Sequence, residues 1–159
     1  MVKNQENILI LPDIRSAQNV GAIFRTAEAV GISKIFLTGV SPCPLDRFNK
    51  TRKDIAKSAL GAELTVPWEY KKNLTMFLNK LKKEKFKIIA IEQDKKSISY
   101  KKVKLSQKNA FIVGTEVSGL PKNILKKCDQ IAEIPMLGKK ESLNVSVATG
   151  IALFGILNI

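Results

Sequence analysis

Residues Ile134 to Phe154 read IPMLGKKESLNVSVATGIALF, and this stretch constrains the fold most: a turn, a polar helix start and a largely apolar helix follow one another within twenty-one residues. From Leu143 to Ile159 the chain carries no charge over seventeen residues. Pro135 and Gly138 mark the turn, and either Ser142 or Asn144 offers a side-chain oxygen to the first N–H groups of the helix. Beyond it Val145, Val147, Ala148, Ile151, Ala152, Leu153, Phe154, Ile156 and Leu157 cover nearly the whole circumference instead of one stripe. One face can then pack on the parent domain while another still needs a partner, and a second copy of the chain is the natural one. A membrane span is disfavoured: about twenty predominantly apolar residues are required, and here Asn144, Ser146, Thr149, Gly150, Gly155 and Asn158 interrupt the run. A plain core helix is compatible with the apolar residues but leaves the polar start unexplained.

With 159 residues the chain is expected to form one domain with a real core. Its 27 Lys and Arg against 14 Asp and Glu give a net charge of +13. Such a balance favours polyanions, and nucleic acid is the commonest of them; lysine enrichment for solubility is the plainer alternative. Cys43 and Cys128 are too few for a disulfide framework and lack metal-ligand spacing, which fits a reducing cytoplasm. The N-terminal MVKNQENILIL has a short apolar run before Pro12 and reads as neither signal peptide nor anchor. Histidine is absent, so the usual general base and the usual zinc ligand are missing.

Taken in order, Ile8–Leu11 predicts a buried strand, and Val20, Ile23, Phe24, Ala27 and Val30 predict a helix closed by Gly31. Further strands are expected at Lys34–Thr38, Leu64–Trp68, Lys87–Ile91, Ala110–Val113 and Ile131–Ile134. Helices are expected at Thr51–Leu60, around Leu74–Leu81, after Pro121 up to about Cys128, and from Val145. Val40–Asn49, with two prolines, reads as a long mobile loop. This alternation predicts an α/β domain with a mostly parallel sheet and helices on both faces, its ligands lying outside the carboxyl ends of the strands.

The segment GTEVSGL from Gly114 has two glycines spaced like a phosphate loop, yet Leu120 stands where that loop needs lysine. No G-x-G-x-x-G follows the first strand either. What remains is a strand end open to a flat ligand, with Glu116 beside it.

Three separated motifs then agree in order and spacing. Asn19-Val-Gly21 with Arg25, Gly114-Thr-Glu116 with Gly119, and Ile134-Pro135-Met136 leading to Ser142-Leu143-Asn144-Val145-Ser146 together resemble the motifs of the SpoU family of S-adenosylmethionine-dependent RNA ribose 2′-O-methyltransferases. The resemblance runs from about Ile8 to Leu157 and implies a single methyltransferase domain over residues 1–159 without an accessory RNA-binding domain. It implies a C-terminal deep trefoil knot, the SPOUT fold, which periodicity could not show. It also implies a homodimer formed through the C-terminal helix, in agreement with the all-round apolar character of that helix. The cofactor would be S-adenosylmethionine, held around Gly114, Gly119, Ile134, Met136 and Leu143 with Ile91 or Glu92, and no metal is implied. Asn19, Arg25, Glu116, Ser142 and Asn144 would form the polar catalytic site.

The role given to Arg25 is to grip a phosphate and stabilise the developing alkoxide, because a guanidinium hardly ever gives up its proton. Whether it acts in its own subunit or across the dimer is left open. Glu116 is expected to position Asn19 or a helix start. The plainer reading makes Asn19, Ser142 and Asn144 helix caps and Arg25 a surface charge. Lysines at 71, 72, 80, 82, 83, 95, 96, 101 and 102 would extend an RNA-binding surface. The substrate expected is structured RNA, tRNA ahead of rRNA; the other class considered is a knotted RNA-binding module without turnover.

Overall fold

The computed structural model describes residues 4–159; the first three residues of the N-terminal stretch read above lie outside them. Seven strands form one parallel sheet: β1 (Glu6–Pro12), β2 (Lys34–Thr38), β3 (Trp68–Lys71), β4 (Lys87–Ile91), β5 (Ile98–Ser99), β6 (Lys108–Val113) and β7 (Gln130–Glu133). Their spatial order is β3-β2-β1-β6-β4-β7-β5. Six α-helices accompany them among the described residues: α1 (Ala17–Ala29), α2 (Lys53–Ala59), α3 (Ala62–Thr65), α4 (Leu74–Lys83), α5 (Lys122–Leu125) and α6 (Val145–Leu157).

The central strands are continuous apolar runs because both faces of the sheet are covered. Leu9 and Leu11 of β1 pack with Val20, Ile23 and Phe24 of α1, Ile55 of α2, and Ala152 and Leu153 of α6. On the opposite face Ile8 and Ile10 pack with Phe77, Leu78 and Leu81 of α4 and Ile124 of α5. The α/β architecture with helices on both faces is therefore as the sequence predicts.

Two features of α1 set the position of the first motif. Ser16 caps the helix, its hydroxyl accepting from the Asn19 N–H at 3.1 Å. Gly21 is the point of closest approach to α2: a Cβ there would overlap the Ser58 hydroxyl and the Ile55 carbonyl. Ser58 Oγ in turn donates to the Gln18 carbonyl at 2.9 Å, so α2 is fastened beside Asn19.

Several expectations need correction. Leu64–Trp68 is not a strand. Gly61, at φ +95°, starts the single-turn helix α3 instead; Leu64 lies exposed on it, Val66 and Pro67 end it, and β3 begins only at Trp68. The lysine-rich connection after β4 contains the two-residue β5 and a 3-10 turn at Tyr100–Lys102. Val40–Asn49 has no regular element, yet it is tied down. Ser41 is buried and donates to the Leu11 carbonyl, and the Asp46 carboxylate accepts from the N–H groups of Phe48 and Lys50.

Strand register decides where the site can lie. Ile91 of β4 is paired with Val113 of β6 on one side and with Ala132 of β7 on the other. The three strands therefore end at one level, and their loops leave together toward α6.

Candidate functional site

Where β4, β6 and β7 end, their loops and the start of α6 enclose a cavity of about 420 Å³, within the range of about 300–1,000 Å³ usual for small-molecule sites. Its floor is apolar: Ile91, Val113, Ala132 and Ile134 from the strand ends, with Met136, Leu143, Val145 and Ala148 around them. Its polar edge holds Asn19, Glu92, Gln93, Thr115, Glu116, Ser142 and Asn144. The rule that ligands in open α/β sheets sit beyond the carboxyl ends of the strands is met here.

Glu92 explains both glycines of the Gly114–Gly119 loop. Its carboxylate turns into that loop and accepts from the Leu120 N–H at 3.1 Å and the Gln93 N–H at 2.9 Å. A Cβ on Gly114 or Gly119 would overlap Glu92 Oε2. Gly119 also lies at φ +67°, where a side chain is strained. The spacing that resembles a phosphate loop is thus used to admit a carboxylate.

A second polar chain crosses the cavity mouth. Asn144 caps α6, its Oδ1 accepting from the Ser146 N–H at 2.9 Å and the Val147 N–H at 3.4 Å. Its Nδ2 donates to Asn19 Oδ1 at 3.2 Å, and Asn19 Nδ2 donates to Glu116 Oε1. Three segments far apart in sequence, the start of α1, the β6 loop and the start of α6, are joined by one run of hydrogen bonds. Ser142 lines the cavity without capping the helix. Gln93 Nε2 donates to the Glu141 carbonyl at 2.7 Å and holds the 136–142 loop against the end of β4.

Of the residues singled out from sequence, Asn19, Ile91, Glu92, Gly114, Glu116, Ile134, Met136, Ser142, Leu143 and Asn144 line this cavity. Gly119 packs on Glu92 just behind it. Arg25 does not line it. Six residues beyond Asn19 on α1, it stands about 9 Å further along the axis and well round the helix, exposed on its outer side. Gly150 of α6 lies against Thr26, the residue after Arg25 on α1. Gln93, Val113, Ala132, Ala148 and Thr149 line it without being among the site residues that the sequence suggests, and Thr115 and Val145 line it from inside the quoted motifs.

The chemistry these groups support is polar positioning around an apolar cradle. Burial pushes the Cys128 thiol up to about 12 and also raises that of Cys43, so neither supplies a ready thiolate. Among the described residues no group of three or more His, Cys, Asp or Glu is placed to hold a metal ion, and no helix is long and apolar enough to cross a membrane.

Comparison with known proteins gives a consistent result. Residues 6–154 match the model of the SpoU rRNA Methylase family. A curated relative, the 23S rRNA (guanosine-2′-O-)-methyltransferase RlmB of Bordetella pertussis, is 33% identical over 147 residues, covering 92% of this chain and 57% of its own. Among solved structures, the AdoMet-bound rRNA methyltransferase of Sinorhizobium meliloti superposes with a TM-score of 0.87 at 27% identity, covering 98% of this chain and 57% of the other. The A. aeolicus TrmH/SpoU tRNA modifying enzyme superposes with a TM-score of 0.83 at 28% identity, covering 97% and 75%. The chain thus spans somewhat over half the length of the curated relatives it matches.

Proposed function

Since the chain belongs to the SpoU rRNA Methylase family, we propose that it is a methyltransferase that uses S-adenosylmethionine to methylate a ribose 2′-hydroxyl in RNA. The observation that carries this reading is the cavity at the β4, β6 and β7 ends, with its polar chain Glu116–Asn19–Asn144. The residues fit the cofactor: an apolar floor suits an adenine ring, and the Glu92 carboxylate suits ribose hydroxyls or a cationic group. When bound, S-adenosylmethionine supplies an electrophilic methyl group on a sulfonium.

Transfer would be an in-line displacement: the bond from the methyl carbon to the ribose oxygen forms as the carbon–sulfur bond breaks, the sulfur leaves as a neutral thioether with the bonding pair, and the hydroxyl proton passes to water or an adjoining phosphate. This chain's contribution is alignment of the nucleophile and stabilisation of the alkoxide. Asn19 and Asn144 hold the mouth in one geometry, and Glu116 fixes the Asn19 amide. In this reading Arg25 grips an adjoining phosphate with its planar fork and offsets the charge that develops on the oxygen.

For the substrate the weight shifts from the tRNA expected above. The curated relatives are named as 23S rRNA enzymes, and we take structured rRNA as the first substrate with tRNA as the alternative. The decisive experiment is transfer of label from S-adenosylmethionine to unmodified rRNA and, separately, to total tRNA. Label that makes one linkage resistant to alkali supports the reading and selects the class. Cofactor binding with no label in either pool would favour the RNA-binding module without turnover.

The assembly proposed is a homodimer through α6. Val147, Ile151 and Phe154 form an exposed apolar stripe at helical spacing on α6, 49%, 38% and 41% exposed. A symmetric pairing would cover it. Ile151→Glu is expected to weaken dimerisation by roughly a hundredfold or more, because the charge and its symmetry mate would be buried together. Light scattering reads this directly, and a variant that stays dimeric would place the interface elsewhere. The trefoil knot belongs to the same reading. The 141–155 segment does lie against the 93–100 segment, Gln93 donating to the Glu141 carbonyl and the Tyr100 ring lying against Gly155.

A further inference from the structure

The segment between β2 and α2 is anchored at both ends near the site and presents an aromatic ring at its tip. It leaves β2 through Val40, which with Asp13, Arg15 and Ser118 lines a second cavity of about 410 Å³ adjoining the first through Thr115 and Glu116. It returns into α2, which is fastened to the Gln18 carbonyl beside Asn19. Between these anchors the chain makes a closed turn. Leu45 and Thr51 form an antiparallel bridge, the Asp46 N–H donates to the Lys50 carbonyl at 2.9 Å, and Asn49 sits in the left-handed region at φ +58°. The Asp46 carboxylate accepts from the N–H groups of Phe48 and Lys50 at 2.8 and 3.0 Å.

This hydrogen bonding holds Phe48 outward. Phe48 is 68% exposed, and the Arg47 guanidinium lies over one face of its ring, 4.8 Å from the centroid. Among the described residues neither Arg47 nor Lys50 is in an ion pair, whereas Arg52 at the base of the turn is committed to Asp54. An exposed ring with a guanidinium over one face and a second cation two residues along the turn suits an unpaired nucleobase, stacked on the other face, with its phosphates; it does not suit a duplex, whose bases are already stacked.

We propose that the Leu45–Thr51 turn is a nucleobase-stacking site for a single-stranded part of the RNA, Phe48 stacking one base while Arg47 and Lys50 take the neighbouring phosphates. The segment that carries the turn starts at Val40 in the wall of the second cavity, which shares Thr115 and Glu116 with the first, and so would hold RNA on the side of the nucleotide being modified. This rests on RNA being the substrate, as proposed above.

The test uses two fluorescein-labelled probes, a mixed-sequence single-stranded RNA decamer and the duplex of the same sequence, with anisotropy read on the full chain. Phe48→Ala is expected to weaken binding of the single strand by roughly tenfold and to leave the duplex unchanged. Phe48→Trp is expected to restore it. Arg47→Ala is expected to weaken both probes and to lower the salt slope by about one. Equal effects of Phe48→Ala on both probes, no effect on either, or no binding of either probe by the wild-type chain would overturn the stacking site. RNA binding that shows the Phe48 pattern but no label transfer would support the stacking site and overturn only the proposed activity. S-adenosylhomocysteine affinity, measured by calorimetry, is expected to be the same in all variants; a loss in Phe48→Ala would show a general structural effect and overturn the assignment.

Discussion

Arg25→Ala is expected to reduce the rate of methyl transfer by roughly two to three orders of magnitude, the scale on which removal of one preorganised charge-stabilising donor acts, while S-adenosylmethionine affinity stays unchanged. The separation follows from geometry. Arg25 is exposed on α1 and does not line the cavity that would hold the cofactor. The apolar stripe that calls for a partner runs along α6 itself. Arg25 is thus outside its own subunit's cavity, on the helix that packs against α6, and with α6 paired as proposed above we expect it to serve the partner's cavity.

Mixing two inactive variants tests that placement. A subunit with Arg25→Ala keeps an intact cavity, and one with Gly114→Val keeps Arg25 but fills the space of the Glu92 carboxylate. Random exchange makes about half the dimers mixed, each with one competent site, so about a quarter of wild-type activity should return. No recovery would place Arg25 in its own subunit's reaction. Arg25→Lys should remain far below wild type; most of the turnover surviving would show that the planar fork is not needed.

What was legible in the sequence follows the physics of each element. Strands buried on both faces read as apolar runs, so Lys87–Ile91 is found at its observed bounds, β6 differs only at its start, and β1 extends by two residues before Ile8 and one after Leu11. The helix α6 is legible because a run without charge has few other places to go. The site motifs are local in sequence, and the three loops that hold them meet at one level because β4, β6 and β7 end in register. That register is a tertiary fact that no single strand announces.

The misses share a cause. β3 and β5 are short edge strands, with little apolar run to show. α3 is one turn set by Gly61 and looks like a strand by its residue types. Gly21 and Gly114 are needed for contacts with Ser58 and Glu92, respectively 37 and 22 positions away, which spacing cannot reveal. Arg25 belongs to a motif with Asn19, yet helix geometry sends the two side chains to different places. The turn at Asp46 reads as a loose loop because two prolines suggest only irregularity, whereas one carboxylate organises it.

Asn144 separates stability from catalysis. Asn144→Ala removes the cap of α6, at a cost of about 1 kcal/mol, and should lower Tm by about 2–4 °C for a domain of this size. Asn144→Asp keeps an acceptor for the N–H groups of Ser146 and Val147, so its Tm should match wild type. It loses the donor to Asn19. The Asn19 amide then faces a carboxylate on each side and has one NH2 group to share between them, so it can keep its bond to Glu116 or turn to the new carboxylate, with the two negative charges repelling across it. The chain joining α1, the β6 loop and α6 is broken either way. Methyl transfer should fall by about a hundredfold, the penalty for a misplacement on the order of an ångström at a reacting centre. If Asn144→Asp were as active as wild type, the Asn144–Asn19–Glu116 chain would have no catalytic role and Asn144 would be a helix cap alone. If it lost as much Tm as Asn144→Ala, the loss of activity would carry no information about the mouth of the site, and Asn19→Ala, which leaves the cap intact, would decide the matter by the same pair of measurements.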